Sequence, residues 1–160
     1  MYQHHEESLK IMEKMFRERE GVIALVFGGS VAKGMERPDS DLDGMVIVTD
    51  ACYEELAKEN RLAEVIPGHC TYEGGYFDVK YMTKEYLRQA AEKGSEPTRN
   101  SFVKSRVLFT QDPEIEELVA AGRAVTFWDS FSAFLGAETD PRIFVPIKDG
   151  PSFIVGAAGN

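Results

Sequence analysis

Between one apolar run, Val22 to Phe27, and a second that opens at Leu42, the chain reads Gly28-Gly29-Ser30-Val31-Ala32-Lys33-Gly34 and then Asp39-Ser40-Asp41-Leu42-Asp43. Few folds accommodate that order. A short apolar run bounded by glycine reads as a buried strand. Two glycines let the backbone turn where side chains would obstruct it. Ser30 stands where a helix cap is expected, and Gly34 and Pro38 close the short helix that follows. Leu42 to Thr49 then reads as a second strand. Residues two apart on a strand share a face, so Asp41 and Asp43 point the same way while Leu42 points into the core.

The flanking segments extend this alternation. Leu9, Ile11, Met12, Met15 and Phe16 recur at helical spacing among charged residues, which predicts an amphipathic helix over Ser8 to Glu20, ended by Gly21. Tyr53 to Asn60 reads as a third helix and Tyr76 to Met82 as a third strand. Thr83 caps a helix reaching Lys93, with Leu87, Ala90 and Ala91 inward. Residues 100–105 read as helical, Val107 to Thr110 as a short strand, and Asp112-Pro113-Glu114 as the start of a helix reaching about Ala121. The core order α-β-α-β-α-β predicts an α/β sheet covered by helices.

At 160 residues the chain has room for one domain, taken as 1–120, with an appendage at 121–160. Only seven of the 45 charged residues fall in that appendage, which carries Phe127, Trp128, Phe131, Phe134, Phe144 and Phe153 instead. Residues 143–147 and 153–155 suggest a hairpin, with Pro146 placing it at an edge. An altered end, a lid, or a surface for a homodimer or a partner protein all suit that composition.

Several function classes drop out. A net charge of −9 argues against general nucleic-acid binding, which needs Lys and Arg to neutralise the phosphate backbone. The polar amino-terminal residues do not read as a signal peptide, and the longest apolar run is too short to span a bilayer. Cys52 and Cys70 lie in no metal-ligand spacing, so a reduced, cytoplasmic setting is expected and no membrane. His4 and His5 cannot share a helix face and His69 is remote, which disfavours a histidine metal site. Cys70 has no identifiable base beside it. Tyr72 and Tyr76 flank Gly74-Gly75 near Asp78, either as packing at the start of a strand or as stacking groups.

The remaining residues carry chemistry. Gly28 and Gly29 allow backbone N–H groups to approach a ligand, and the helix start at Ser30 turns a positive dipole end toward the same point, a combination suited to phosphate. Known phosphate motifs do not fit, because Met35 stands where a Walker motif needs lysine. Two carboxylates about 4 Å apart repel by about 4 kcal/mol at an effective dielectric of 20. A divalent cation removes that penalty, and oxygen-only ligation favours Mg²⁺ or Mn²⁺. In Phe77-Asp78-Val79-Lys80-Tyr81 the apolar residues share one face and Asp78 and Lys80 the other. Asp78 is then either a third metal ligand or a solvent-facing acid paired to Lys80.

Gly29-Ser30, ten intervening residues, Asp41-Leu42-Asp43 and a later Phe77-Asp78-Val79 together resemble the DNA polymerase β-type nucleotidyltransferase superfamily, and within it the small bacterial antibiotic (aminoglycoside) nucleotidyltransferases. The resemblance covers about residues 5–120 and implies that fold, an α+β core with a mixed sheet. It implies that Gly28, Gly29 and Ser30 hold the phosphates of a nucleoside triphosphate. Asp41, Asp43 and Asp78 would bind two Mg²⁺ ions, Asp78 also helping to deprotonate the acceptor hydroxyl. Lys33 and Lys80 then either neutralise phosphate charge or are ordinary surface residues. The implied reaction moves a nucleoside monophosphate, AMP from ATP, onto a hydroxyl of a small molecule such as an aminoglycoside and releases pyrophosphate. A protein-modifying, antitoxin-like transferase and a non-catalytic nucleotide-binding module are the alternatives. Related antibiotic-modifying enzymes continue into a helical domain, which 121–160 does not resemble.

Overall fold

The computed structural model of the chain describes residues 1–94, 98 and 100–124. Chain contacts divide into two units, Met1–Val125 and Thr126–Asn160, and the sheet and its helices belong to the first. The strands are Val22–Phe27 (β1), Leu42–Val48 (β2), Ala63–Pro67 (β3), Tyr76–Thr83 (β4) and Arg106–Thr110 (β5). They form one mixed sheet in the order β3-β4-β2-β1-β5, in which only β2 and β4 run parallel. The helices are Gln3–Arg17 (α1), Gly29–Lys33 (α2), Asp50–Lys58 (α3), Lys84–Lys93 (α4) and Glu114–Ala124 (α5).

Strand alternation sends side chains to two separate cores. Leu42, Val46 and Val48 of β2 join Phe77, Val79 and Tyr81 of β4 and pack with Leu9, Met12 and Phe16 of α1. Met45, Ile47 and Met82 leave the opposite face with Ala24 and Val26 and pack with Leu87 and Ala90 of α4 and Ile115 and Val119 of α5. The sheet is thus helix-covered on both sides, as its strand–helix alternation predicts. The end of Met12 on α1 reaches over Gly44, where a Cβ would lie 2.3 Å from the Met12 Cε, so a side chain there would push the methionine aside.

Local chemistry sets most of the boundaries. Thr49 caps α3 by accepting from the Cys52 N–H at 3.3 Å, and Thr83 caps α4 by accepting from Tyr86 at 3.1 Å. Helix α3 therefore starts at Asp50 and ends at Lys58, instead of spanning Tyr53 to Asn60. Helix α1 begins at Gln3 rather than Ser8, because His5 and Ser8 are buried parts of its inner face. Residues 101–104 are turns, not helix, with the N–H groups of Val103 and Ser105 donating to the carbonyls of Asn100 and Phe102. Helix α5 continues past the expected end at Ala121 to Ala124 and is tied to α4 by Glu114, which meets both Lys84 and Arg88. Strand β3 has no counterpart among the elements expected from sequence. The hairpin expected over 143–147 and 153–155 lies outside the described residues. No helix among the described residues is long and apolar enough to cross a membrane.

Candidate active site

Register brings the acids together. In the parallel β2–β4 pair Leu42 lies opposite Phe77, Asp43 opposite Asp78 and Met45 opposite Lys80. Strand partners at one level share a face, so Asp43 and Asp78 emerge side by side on the face carrying Met45 and Met82. Asp41 stands one residue ahead of β2 rather than within it. One carboxylate oxygen from each of Asp41, Asp43 and Asp78 lies within 4.8 Å of the other two, and all three residues are half-buried. Opposite ligands of an octahedral Mg²⁺ are about 4.2 Å apart, so small side-chain rotations would close these oxygens onto one ion.

The turn after β1 meets this cluster directly. Gly29 has φ +73°, and a Cβ on it would lie 1.7 Å from the Asp43 Oδ2. Glycine is needed there twice over, for the left-handed backbone and for the carboxylate that occupies the missing side chain's place. Gly28, not Ser30, is the N-cap of α2; the chain completes its turn over the two glycines, which leaves Ser30 already inside the first helical turn. The Gly28 N–H is not free for a ligand, because it donates to the Asp43 carbonyl at 3.1 Å and so extends the β1–β2 ladder.

A cavity of about 380 Å³ opens beside the cluster. Gly28, Gly29, Lys33, Asp43, Asp78 and Lys80 line one part of it; Met45, Met82, Tyr86 and Phe102 supply an apolar part, and Asn100 and Ser101 further polar groups. Asp41 and Ser30 do not line it. Among the described residues neither Lys33 nor Lys80 forms an ion pair, so the reading of Asp78 as an acid neutralised by Lys80 finds no contact to support it. Met45 and Met82 are not among the residues expected at the site, although period-two spacing from Asp43 and Lys80 puts them on the same face.

The electrostatics fit an unmet need for positive charge. Burial first, then Asp41 and Asp78, raises the Asp43 carboxyl above the ordinary carboxylate range, and Lys80 and Lys33 only partly offset this. The nearby Tyr76 hydroxyl is raised as well, first by Asp41, then by burial and Asp78. Three oxygen donors with surplus negative charge suit a hard divalent cation such as Mg²⁺ or Mn²⁺.

The other candidates fall elsewhere. His69 stacks on Phe77 with ring centroids 6.3 Å apart, and His4 and His5 pack edge to face at 4.4 Å. The Cys70 thiol is raised by burial, which makes it a poor nucleophile. Tyr72 does not line the cavity, and its hydroxyl donates to the Ser40 carbonyl.

Against known proteins, the family description "Nucleotidyltransferase domain" matches residues 9–108. No curated protein matches the chain. Among solved structures, a nucleotidyltransferase-like protein from Exiguobacterium sibiricum aligns at 8% identity and TM-score 0.47, over 78% of this chain and 40% of that one. Spectinomycin adenyltransferase AAD(9) from Enterococcus faecialis, solved with ATP and spectinomycin, aligns at 17% identity and TM-score 0.44, over 82% and 64% of the two chains. A toxin–antitoxin structure with AMP-PNP aligns at 12% identity and TM-score 0.37, over 81% and 92%. The chain thus spans less than two-thirds of the first two proteins.

Proposed function

This chain belongs to the nucleotidyltransferase-domain family of the polymerase β-type superfamily, and from that premise we propose that it transfers AMP from ATP to a hydroxyl of a small-molecule acceptor such as an aminoglycoside. In the reaction the acceptor oxygen bonds to the α-phosphorus, the bond from that phosphorus to the β-phosphate bridge breaks, and pyrophosphate leaves. The observation that carries this reading is the convergence of Asp41, Asp43 and Asp78 within 4.8 Å beside a cavity that Lys33 and Lys80 also line. A volume of about 380 Å³ falls in the range of small-ligand sites.

The three aspartates are the residues that would hold the metal. Divalent ions bound there would lower the pKa of the attacking hydroxyl and stabilise charge on the leaving pyrophosphate. Asp78 is assigned the acceptor's proton. Lys33 and Lys80 oppose the charge of the phosphates, and the Gly29 backbone is assigned a contact to them. Met45, Met82 and Phe102 give the nucleobase an apolar wall. Ser30 is kept as a phosphate contact through its place in the first turn of α2. The catalytic domain is taken as residues 1–120 in a cytoplasmic protein, with 121–160 reserved for a homodimer or partner contact.

Pyrophosphate release, measured with each nucleoside triphosphate against pools of aminoglycosides and of cellular protein, tests the proposal. The expected result is release with ATP, Mg²⁺ and the small molecules, abolished by excess EDTA and restored by Mg²⁺. Release with protein acceptors alone would make the chain a protein-modifying transferase. Nucleotide binding without release from any pool would leave a non-catalytic module.

A further inference from the structure

Asp43 and Asp78 are fixed by the ladder of a parallel strand pair, but Asp41 precedes β2 and has no such support. Two carbonyls just upstream of it are instead held by side chains from remote parts of the chain. The Tyr72 hydroxyl, on the turn before β4, donates to the Ser40 carbonyl at 2.5 Å. The His4 Nε2, in the first turn of α1, lies 2.9 Å from the Pro38 carbonyl and donates to it in the Nε2–H tautomer. The His4 and Tyr72 rings pack with centroids 4.6 Å apart, so each restrains the other. The turn carrying Tyr72 is itself anchored on α1: the Thr71 N–H donates to the Ser8 Oγ at 3.0 Å and the Thr71 hydroxyl to the His4 carbonyl at 3.1 Å.

The Ser40 carbonyl and the Asp41 nitrogen and Cα belong to one planar peptide unit. Holding that oxygen therefore fixes the plane from which the Asp41 side chain departs. We infer that Tyr72, backed by His4, is a positioning residue that sets where Asp41 stands relative to Asp43 and Asp78. Burial, the first cause, keeps the Tyr72 hydroxyl well above the ordinary phenol range, so it remains a donor throughout the working pH range. The inference rests on reading the three aspartates as a metal seat, and its test separates the two.

Mn²⁺ is titrated calorimetrically into the wild type and the variants Tyr72→Phe, Leu56→Ala and Asp43→Asn, with thermal melting of each metal-free protein alongside. Tyr72→Phe keeps the ring against His4 and removes only the hydroxyl. It is expected to bind Mn²⁺ roughly three- to tenfold more weakly, the weight of one hydrogen bond, while melting near the wild-type temperature. Its pyrophosphate release should need correspondingly more Mg²⁺ for half-maximal rate and approach the wild-type rate at saturation. Leu56→Ala, which thins the packing of α3, is expected to lose stability and keep Mn²⁺ affinity. Wild-type affinity in Tyr72→Phe overturns the inference, as does an equal loss in Leu56→Ala, which would make the effect one of general loosening. If the wild type and Asp43→Asn bind Mn²⁺ alike, the metal seat itself is wrong and the inference falls with it.

Discussion

The two faces of the β2–β4 pair are made from alternate residues of the same strands and behave as different materials. On one, Leu42, Val46, Phe77 and Val79 are sealed with α1, and Gly44 gives up its side chain to let Met12 in. On the other, Asp43, Asp78 and Lys80 border an open cavity, and the two lysines only partly offset what raises the Asp43 carboxyl. Immediate neighbours in sequence therefore serve opposite ends: Phe77 is sealed into the core and Asp78 borders the cavity. The contrast teaches that strand alternation can separate stability from chemistry without separate segments for each.

That separation is open to attack at adjacent positions. The largest effect is expected on the sealed face, where Phe77→Ala should cost about 3–5 kcal/mol in urea denaturation while the rate per folded molecule changes little. A collapse of activity with the fold intact would show that the faces are not independent. Next in size is Asp43→Asn. Pyrophosphate release should fall by more than about 100-fold, since groups that merely support metal ligands already cost 10–100-fold. The metal-free variant should melt at or above the wild-type temperature, and a clear loss of stability would give Asp43 a structural role instead.

The smallest effect sharpens the contrast through pH. Because the Asp43 carboxyl is raised in the folded state, the folded protein keeps a proton that the unfolded chain has already lost. Metal-free stability from this group therefore falls as pH rises from the ordinary aspartate value of about 3.9 through the raised one. The melting temperature of Asp43→Asn minus that of the wild type, in EDTA, should accordingly be least below about pH 3.9 and grow to a plateau above. Asp112 and Glu114, both lowered by their bonds to Lys84, act with the opposite sign but cancel in the difference. A difference that stays flat across this range would disconnect Asp43 from the charge cluster.

How much of this could be read from the residues depended on whether the signal was local. Strand β1 has the expected bounds because glycines close an unbroken apolar run at both ends. Asp78 stood out because a charge between Phe77 and Val79 has no place in a core. Strand β3 was illegible for the opposite reason. Its outward residues are Ala63, Val65 (63% exposed) and Pro67, while Glu64 turns inward to accept from the Tyr81 hydroxyl at 2.6 Å and from Arg61. Ile66 alone follows the usual apolar-in pattern. His5 belongs to a polar terminus, yet it is fully buried against the Tyr72 ring. The bond from Tyr72 to Ser40 leaves no trace in sequence, because it joins two turns that only the fold brings together. The pairing of Asp43 with Asp78 needed the knowledge that β2 and β4 are neighbours, which spacing alone does not contain.

Parallel pairing of β2 with β4 also dictates where this chain tolerates growth. A strand can return parallel to its neighbour only after an excursion across the sheet, here through α3 and β3. Residues gained in the link between those two elements leave the Asp43–Asp78 register unchanged, whereas a loss there would pull on Leu62, whose carbonyl accepts from the Tyr81 N–H at 2.9 Å. One residue inserted inside β2 or β4, by contrast, would swing a carboxylate into the hydrocarbon layer and bring a hydrophobic residue to the surface in its place.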